Sequence, residues 1–253
     1  MSKIPFALQL YSVRDHLEKN PEAALHRVKA AGYDYVELAG TAGLTAAAFN
    51  ALLENAGLRP VSLHAGYDVL VGDFDKLLAD LKTLDLHFAV VPWVGIDMCP
   101  DKEAWLTAAR QMDAAGARLR EHGIQLCYHN HAHEFERLDG KYILDLIYEN
   151  SASANLAAEL DTCWADVGGA DTVALMRQYG TRIPLLHIKD YVRSETGEVV
   201  FKEVGHGCMA WDPIFDAAKA CNVAWYVVEQ DTCEGDSLDS ARISAAFMAQ
   251  RQL

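Results

Sequence analysis

Three short segments of the chain carry pairs of polar side chains two residues apart, the spacing at which a β-strand presents both on one face. They are His129 and His131 in Cys127-Tyr128-His129-Asn130-His131, His187 and Lys189 in Leu185-Leu186-His187-Ile188-Lys189-Asp190, and Glu229 and Asp231 in Val227-Val228-Glu229-Gln230-Asp231. Asp161 closes a further apolar run over 155–161. Carboxylates and imidazoles that converge with open coordination positions suit Mn²⁺, Co²⁺, Zn²⁺ or Mg²⁺. Asp161, His187 and Glu229, arriving on three successive runs, form the strongest metal set. A purely structural polar cluster is the alternative for them.

Other apolar runs also end in polar or aromatic residues: Gln9 and Tyr11, Glu37, His64, and Trp93. Each has a plain reading beside the functional one. His64 reads as a hydrogen-bonded histidine or as a ligand or substrate contact, and Glu37 as an ion-pair partner or a site group. Trp93 reads as a hydrophobic wall, which against a sugar ring is itself a binding surface. Asp190 reads as a partner for Lys189 or Arg193.

These runs need a scaffold that brings their ends together. Strand-like segments at 4–11, 35–38, 60–64, 87–93, 124–129, 155–161, 183–189 and 223–230 alternate with helical ones. The helices are expected over 20–32, 45–56, 74–84, 102–122, 142–149, 171–179, 211–220 and 238–250. The first opens with Asn20-Pro21-Glu22, an N-cap followed by a proline and an acid in the first turn. Gly32, Gly57 and Gly123 mark helix ends. Strict alternation implies parallel strands joined by right-handed crossovers. Eight units close into a (β/α)8 TIM barrel, in which functional groups sit at the C-terminal strand ends. A doubly wound open sheet is the weaker reading, because no G-x-G-x-x-G follows the first strand. A single domain over 1–253 is expected.

Composition narrows the partners. The chain has 253 residues, 51% hydrophobic, and a formal net charge of −14, which disfavours nucleic acid and anionic membranes. Six scattered cysteines without a C-x-x-C pair read as thiols in a reducing compartment. No apolar run is long enough for a membrane span, and Met1-Ser2-Lys3-Ile4-Pro5 leads directly into the first strand. A cytoplasmic location is expected.

Taken together, several motifs resemble the sugar phosphate isomerase/epimerase family of the xylose-isomerase-like barrel superfamily, over essentially the full length. They are Leu8-Gln9-Leu10-Tyr11-Ser12-Val13-Arg14-Asp15, Tyr128-His129-Asn130-His131 with Glu134-Phe135, and Glu159-Leu160-Asp161. Leu186-His187-Ile188-Lys189-Asp190, Glu203-Val204-Gly205-His206-Gly207 and Val228-Glu229-Gln230-Asp231 complete the set. The resemblance implies one divalent metal, Mn²⁺ favoured, held by a Glu, an Asp, a His and a Glu. Asp161, His187 and Glu229 match the last three. The first ligand departs: His129 stands where ketose epimerases of the superfamily carry Glu, and Glu134 follows five residues later. Either His129 ligates directly or Glu134 folds back. Glu134 is favoured because three carboxylates preserve the usual charge.

The resemblance further implies proton abstraction next to a carbonyl through a metal-stabilised enediolate. His129 or His131 would be the base, Glu229 a possible second one, and Lys189 would neutralise oxyanion charge. Gln9, Tyr11, Glu37, His64, Trp93, Arg193 and His206 are candidate substrate contacts. The substrate would be a small sugar or keto-sugar. An uncharged one fits at least as well as a phosphate, since no glycine-rich cradle follows the last strands. Isomerisation or epimerisation leads. A lyase or dehydratase acting on a 3-keto sugar, keto-glycoside or keto-inositol is the rival, and a non-catalytic sugar-binding subunit and an endonuclease trail. A homo-oligomer is compatible but not specified.

Overall fold

In the computed structural model, which describes residues 3–251, eight parallel strands close into a barrel. Met1 and Ser2, expected to lead into the first strand, lie outside the described residues, as do Gln252 and Leu253. The strands are β1 (Phe6–Gln9), β2 (Tyr35–Leu38), β3 (Arg59–His64), β4 (Phe88–Val91), β5 (Gln125–His129), β6 (Leu156–Asp161), β7 (Leu185–Ile188) and β8 (Trp225–Val228). They pair in sequence order, and β1 closes the ring against β8. This is the (β/α)8 barrel expected from the alternation of elements.

Period-two alternation divides each strand between two environments. Outward residues such as Val36, Leu63, Leu126, Leu160, Leu186 and Val228 join the surrounding helices in one large core. Inward residues Val90, Cys127, Ala157 and Leu185 form a separate apolar plug inside the barrel. One step further along the same inward faces come His129, Glu159, His187 and Glu229. The plug therefore floors the polar layer. Register sets its neighbours: Gln9 lies beside Glu37, His129 beside Glu159, and Asp161 beside His187.

The helices obey local signals. Asn20 caps Pro21–Ala30 by accepting from the Ala23 N–H, Thr45 does the same for Ala46–Ala56, and Asp101 for Lys102–Arg120. Gly57 ends its helix at φ 71°, the left-handed turn that glycine permits at no steric cost. Gly116 serves packing instead. A Cβ there would lie 2.0 Å from the Asn155 carbonyl oxygen, so only glycine lets the long helix approach the start of β6. Among the described residues no helix is long and apolar enough to cross a membrane.

The structure departs from expectation mainly at strand ends. The first run is strand only to Gln9 and then tightens into a 3₁₀ turn, Leu10–Val13, because the Gln9 side chain accepts from the Tyr11 N–H. A short helix, Thr162–Val167, follows β6 directly. Two hairpins stand where the sequence pattern indicates only loops: Arg137–Leu138 with Lys141–Tyr142, and Asp190–Arg193 with Val199–Lys202.

Candidate metal centre and substrate cavity

Four side chains from the last four strands converge at the mouth. Ligand atoms of His129, Asp161, His187 and Glu229 lie within 4.8 Å of one another, and all four residues are buried. Local structure explains how each is aimed. Asp161 ends β6 and spends Oδ1 capping the next helix, accepting from the Trp164 N–H at 2.7 Å. Its Oδ2 is buried without a hydrogen-bond partner, 3.8 Å from His187 Nδ1 and 3.9 Å from His129 Nε2. Asn130 fixes the end of β5 to β6, donating to the Asp161 carbonyl and accepting from the Asp161 N–H. His187 places Nδ1 3.1 Å from Glu229 Oε2.

A second layer lies beneath, and it also has metal-capable geometry: His64, His129, Glu159 and His187 form a second converging group. Here Nε2 of His187 is 2.8 Å from Glu37 Oε1 and 3.1 Å from Glu159 Oε2. His64 Nε2 faces the same two oxygens at 2.9 and 2.8 Å. Gln9 and Ser62 donate to the Glu37 carboxylate at 2.8 and 2.5 Å. Burial disfavours charge on His64, yet Glu37 and Glu159 outweigh it and hold the imidazole up at about 10. Burial would raise Glu37, but the His64 charge and the His187 and His64 hydrogen bonds hold it well below the usual carboxylate range. The lower layer thus largely compensates itself. Held through Nε2 by these carboxylates, His187 turns Nδ1 toward Glu229 and the upper group, the arrangement by which outer carboxylates position metal-binding histidines.

The upper layer is short of positive charge. Lys189 is 1% exposed and its Nζ lies 3.2 Å from Asp161, 2.8 Å from Glu229 and 3.1 Å from Asp231. Across both layers five carboxylates (Glu37, Glu159, Asp161, Glu229, Asp231) meet three groups able to carry positive charge, Lys189, His64 and His187. Uncompensated buried charge is costly. The deficit, an Asp161 oxygen that has the Lys189 ion pair but no hydrogen bond, and the O/N donor set all fit a divalent cation at the upper group.

Above this centre opens a cavity of about 610 Å³, within the usual range for small-molecule sites. Its walls include Trp93, Trp164, Tyr11, His131, Glu229 and Asp231. His131 and Trp164 both line the cavity, and His131 Nδ1 and Trp164 Nε1 are buried without hydrogen-bond partners. Burial pulls the His131 imidazole down to about 3, with the Lys189 charge adding to it. Burial pushes Asp231 up to about 6; Lys189 pulls against it, and the Glu229 and Asp161 charges add to it.

Of the residues singled out in the sequence, the geometry brings Gln9, Glu37, His64, His129, Asp161, His187, Lys189 and Glu229 into the two polar layers. Tyr11, Trp93 and His131 reach the cavity wall. Glu134 does not fold back to the metal group as expected. Its carboxylate points outward from β5, accepting from the Tyr128 hydroxyl at 2.6 Å and the His131 N–H at 2.8 Å, with His133 Nε2 at 3.1 Å. Tyr128 faces the helices, so Glu134 is anchored on the far side of the strand. Arg193 and His206 also miss the cavity. Arg193 donates to the Gly197 carbonyl within its own hairpin, and His206 is exposed on the loop beyond. Asp190 pairs with neither Lys189 nor Arg193; it gathers that loop, accepting from the backbone N–H groups of Tyr191, Gly205 and Met209 and from Trp211 Nε1. Lys189 sits behind the carboxylates and is not on the cavity wall.

Glu159, Trp164 and Arg14 join the site although sequence reasoning assigns them no role, and Asp231 joins it as the strand-face partner of Glu229. Glu159 carries the same signal as the other pairs, since it lies two residues before Asp161 on one strand face. Trp164 has none, because nothing in the spacing announces the helix after β6.

Fold and site together define a metal-capable barrel with a small-molecule-sized cavity at its C-terminal mouth. The chain belongs to the xylose isomerase-like TIM barrel family, whose model matches residues 25–251. Among curated proteins it is similar to the inosose dehydratase of Clostridium perfringens, 25% identical over 172 residues. That match covers 60% of this chain and 56% of the relative, so it spans little more than half the relative's length. Among solved structures it is similar to a sugar phosphate isomerase/epimerase from Parabacteroides distasonis, with TM-score 0.84 and 24% identity over 98% of this chain and 94% of the other. A D-allulose 3-epimerase from Methylomonas sp. follows the same fold at TM-score 0.73 and 18% identity, covering 99% and 98%.

Proposed function

We propose that this protein is a divalent-metal-dependent enzyme that abstracts a proton next to a carbonyl of a small sugar or keto-sugar, as an isomerase or epimerase. The observation that carries the reading is the convergence of His129, Asp161, His187 and Glu229, their ligand atoms within 4.8 Å of one another, below an aromatic-walled cavity. These four residues would hold the metal, with His129 taking the place expected of Glu134. A divalent ion there supplies Lewis-acid stabilisation of negative charge on a substrate oxygen. Mn²⁺ is the ion the family resemblance favours, and the two imidazoles beside two carboxylates suit Co²⁺ or Zn²⁺ as well.

The chain's own groups perform the proton movement. His131, which lines the cavity at the β5 side, accepts a proton. Asp231, on the opposite β8 side of the same cavity and raised by burial, donates or accepts one. Lys189 keeps Asp161, Glu229 and Asp231 aligned as a positioning residue. Trp93 and Trp164 provide ring faces on which a sugar stacks and help exclude water. Among the described residues, no cation free of carboxylate or backbone partners lines the cavity, which favours an uncharged substrate. The free thiols fit a cytoplasmic setting.

A dehydratase acting on a keto-inositol or 3-keto sugar is the second reading. It is favoured by the similarity to inosose dehydratase and by Asp231 as an acid for a departing hydroxyl. Incubating the metal-loaded protein with ketoses and keto-inositols in D₂O, followed by mass spectrometry and NMR, tests both. Deuterium incorporation without mass loss supports epimerisation or isomerisation, and loss of water supports the dehydratase. If the fully metal-loaded protein neither exchanges nor turns over any of these compounds, both readings fail.

A further inference from the structure

The Lys189 ammonium contacts two carboxylate oxygens of the proposed metal group. Its Nζ lies 3.2 Å from Asp161 Oδ2 and 2.8 Å from Glu229 Oε2, and His187 Nδ1 faces the same two oxygens at 3.8 and 3.1 Å. Asp161 has no other oxygen to offer, because Oδ1 caps the helix after β6. Asp231 also holds the ammonium, accepting from it with Oδ1 at 3.2 Å and Oδ2 at 3.1 Å. The rings of Trp164 and Phe201 lie 5.5 and 5.7 Å from Nζ, and the whole residue is buried. The lysine is therefore fixed among the carboxylates. Buried carboxylates need a counter-charge before any ion arrives, and a lysine ammonium, a compact charge with three donors, supplies it. When a divalent ion approaches the same oxygens, that positive charge opposes it, far more strongly in a water-poor site than in bulk water.

We infer that Lys189 stands in for the metal in the metal-free protein, holding Asp161 and Glu229 in place, and that it thereby limits how tightly the centre binds a divalent ion. This rests on the proposed metal centre and names the residue that sets its occupancy. The centre then fills and empties with the supply of the ion. A lysine that only braced the fold would have the opposite effect: its removal would let the ligands drift apart and weaken ion binding. A competing lysine, once removed, leaves the carboxylates with a larger uncompensated charge and strengthens it.

Lys189→Met and Lys189→Gln provide the test; the flexible, unbranched methionine suits the aromatic surroundings. Mn²⁺ is titrated calorimetrically into the metal-free natural protein and both variants at one pH and ionic strength, and urea unfolding of each is followed with and without the ion. Both variants bind Mn²⁺ at least about tenfold more tightly than the natural protein. Without the ion they unfold at lower urea, and saturating Mn²⁺ raises their midpoints by more than it raises the natural one. A variant that folds only with Mn²⁺ present supports the stand-in role, and its affinity is read from the dependence of the midpoint on Mn²⁺. Equal or weaker binding in either variant overturns the inference, as does failure of both to fold in saturating Mn²⁺. If the natural protein binds the ion and the variants bind it no more tightly, the metal-centre reading stands alone. If the natural protein takes up no ion while the variants do, that reading falls and the inference is kept. Absence of binding in all three overturns both.

Discussion

The two halves of the barrel mouth are built from different chemistry. Every large hydrophobic side chain exposed among the described residues lies in the segments that follow β1 to β4: Tyr11, Leu44, Val69, Val71, Trp93, Ile96 and Met98. The ends of β5 to β8 instead carry His129, His131, Asp161, His187, Lys189, Glu229 and Asp231, most of them buried. One half reacts and the other half holds. The contrast teaches why the charged half needs so much support beneath it. Exposed apolar groups need no partner in the free protein and gain when a ligand covers them, whereas buried carboxylates demand partners in place before any ligand arrives.

The sharpest break of this comparison is at His131. His131→Gln keeps the shape of the wall and removes the base, so turnover falls by about 10²–10⁴-fold while metal content stays at the natural level. Loss of metal together with activity would instead place His131 among the ligands. Next comes the supporting layer. Glu37→Gln leaves His64 and His187 short of a buried counter-charge and destabilises the metal-free protein by about 3–5 kcal/mol in urea unfolding. Val71→Ser and Met98→Ser on the apolar rim change the same stability by no more than about 0.5 kcal/mol. Similar costs in the two sets would erase the distinction between the buried charged layer and the exposed apolar rim.

Trp93→Ala tests the holding half directly. Removing a stacking face raises KM by about three- to tenfold, equivalent to roughly 0.5–1.5 kcal/mol, and leaves kcat nearly unchanged. A fall in kcat with constant KM would move Trp93 into the reacting half. The smallest effect lies beneath that tryptophan, where the His133 ring sits 4.4 Å from the Trp93 ring. Burial opposes charge on His133, but hydrogen bonds to Glu134 and the Val94 carbonyl raise its pKa. A raised folded-state value means its contribution to stability is complete below the unfolded value of about 6.5 and is lost as pH rises through the higher folded value. Unfolding midpoints measured across that window fall with pH in the natural protein, and His133→Gln flattens the slope.

Much of this arrangement is legible in the sequence because strand periodicity is rigid. Once His187 and Lys189 share a face, so do Glu229 and Asp231, and the barrel's closure brings those faces together. The helices are legible for a similar reason, since Asn20, Thr45 and Asp101 cap them where their side chains can reach the first free N–H groups. What lies beyond reach depends on loops. Glu134 follows a strand, and only the turn at His133–Phe135 decides which side of β5 its carboxylate takes. Arg193 is expected at the substrate's polar end, but the hairpin that carries it closes on itself through Gly197. Both outcomes are set by local turns whose direction no residue spacing encodes.

The central claim is that His129, Asp161, His187 and Glu229 bind a divalent ion without Glu134. Elemental analysis of the protein purified without added metal, then after exposure to Mn²⁺ or Co²⁺ and desalting, tests it most directly. Near-stoichiometric metal is predicted for the natural protein and for Glu134→Gln, with little retained by Asp161→Ala, Glu229→Ala or His129→Ala. A natural protein that takes up no metal, or one that loses it with Glu134→Gln but keeps it with His129→Ala, would contradict the account.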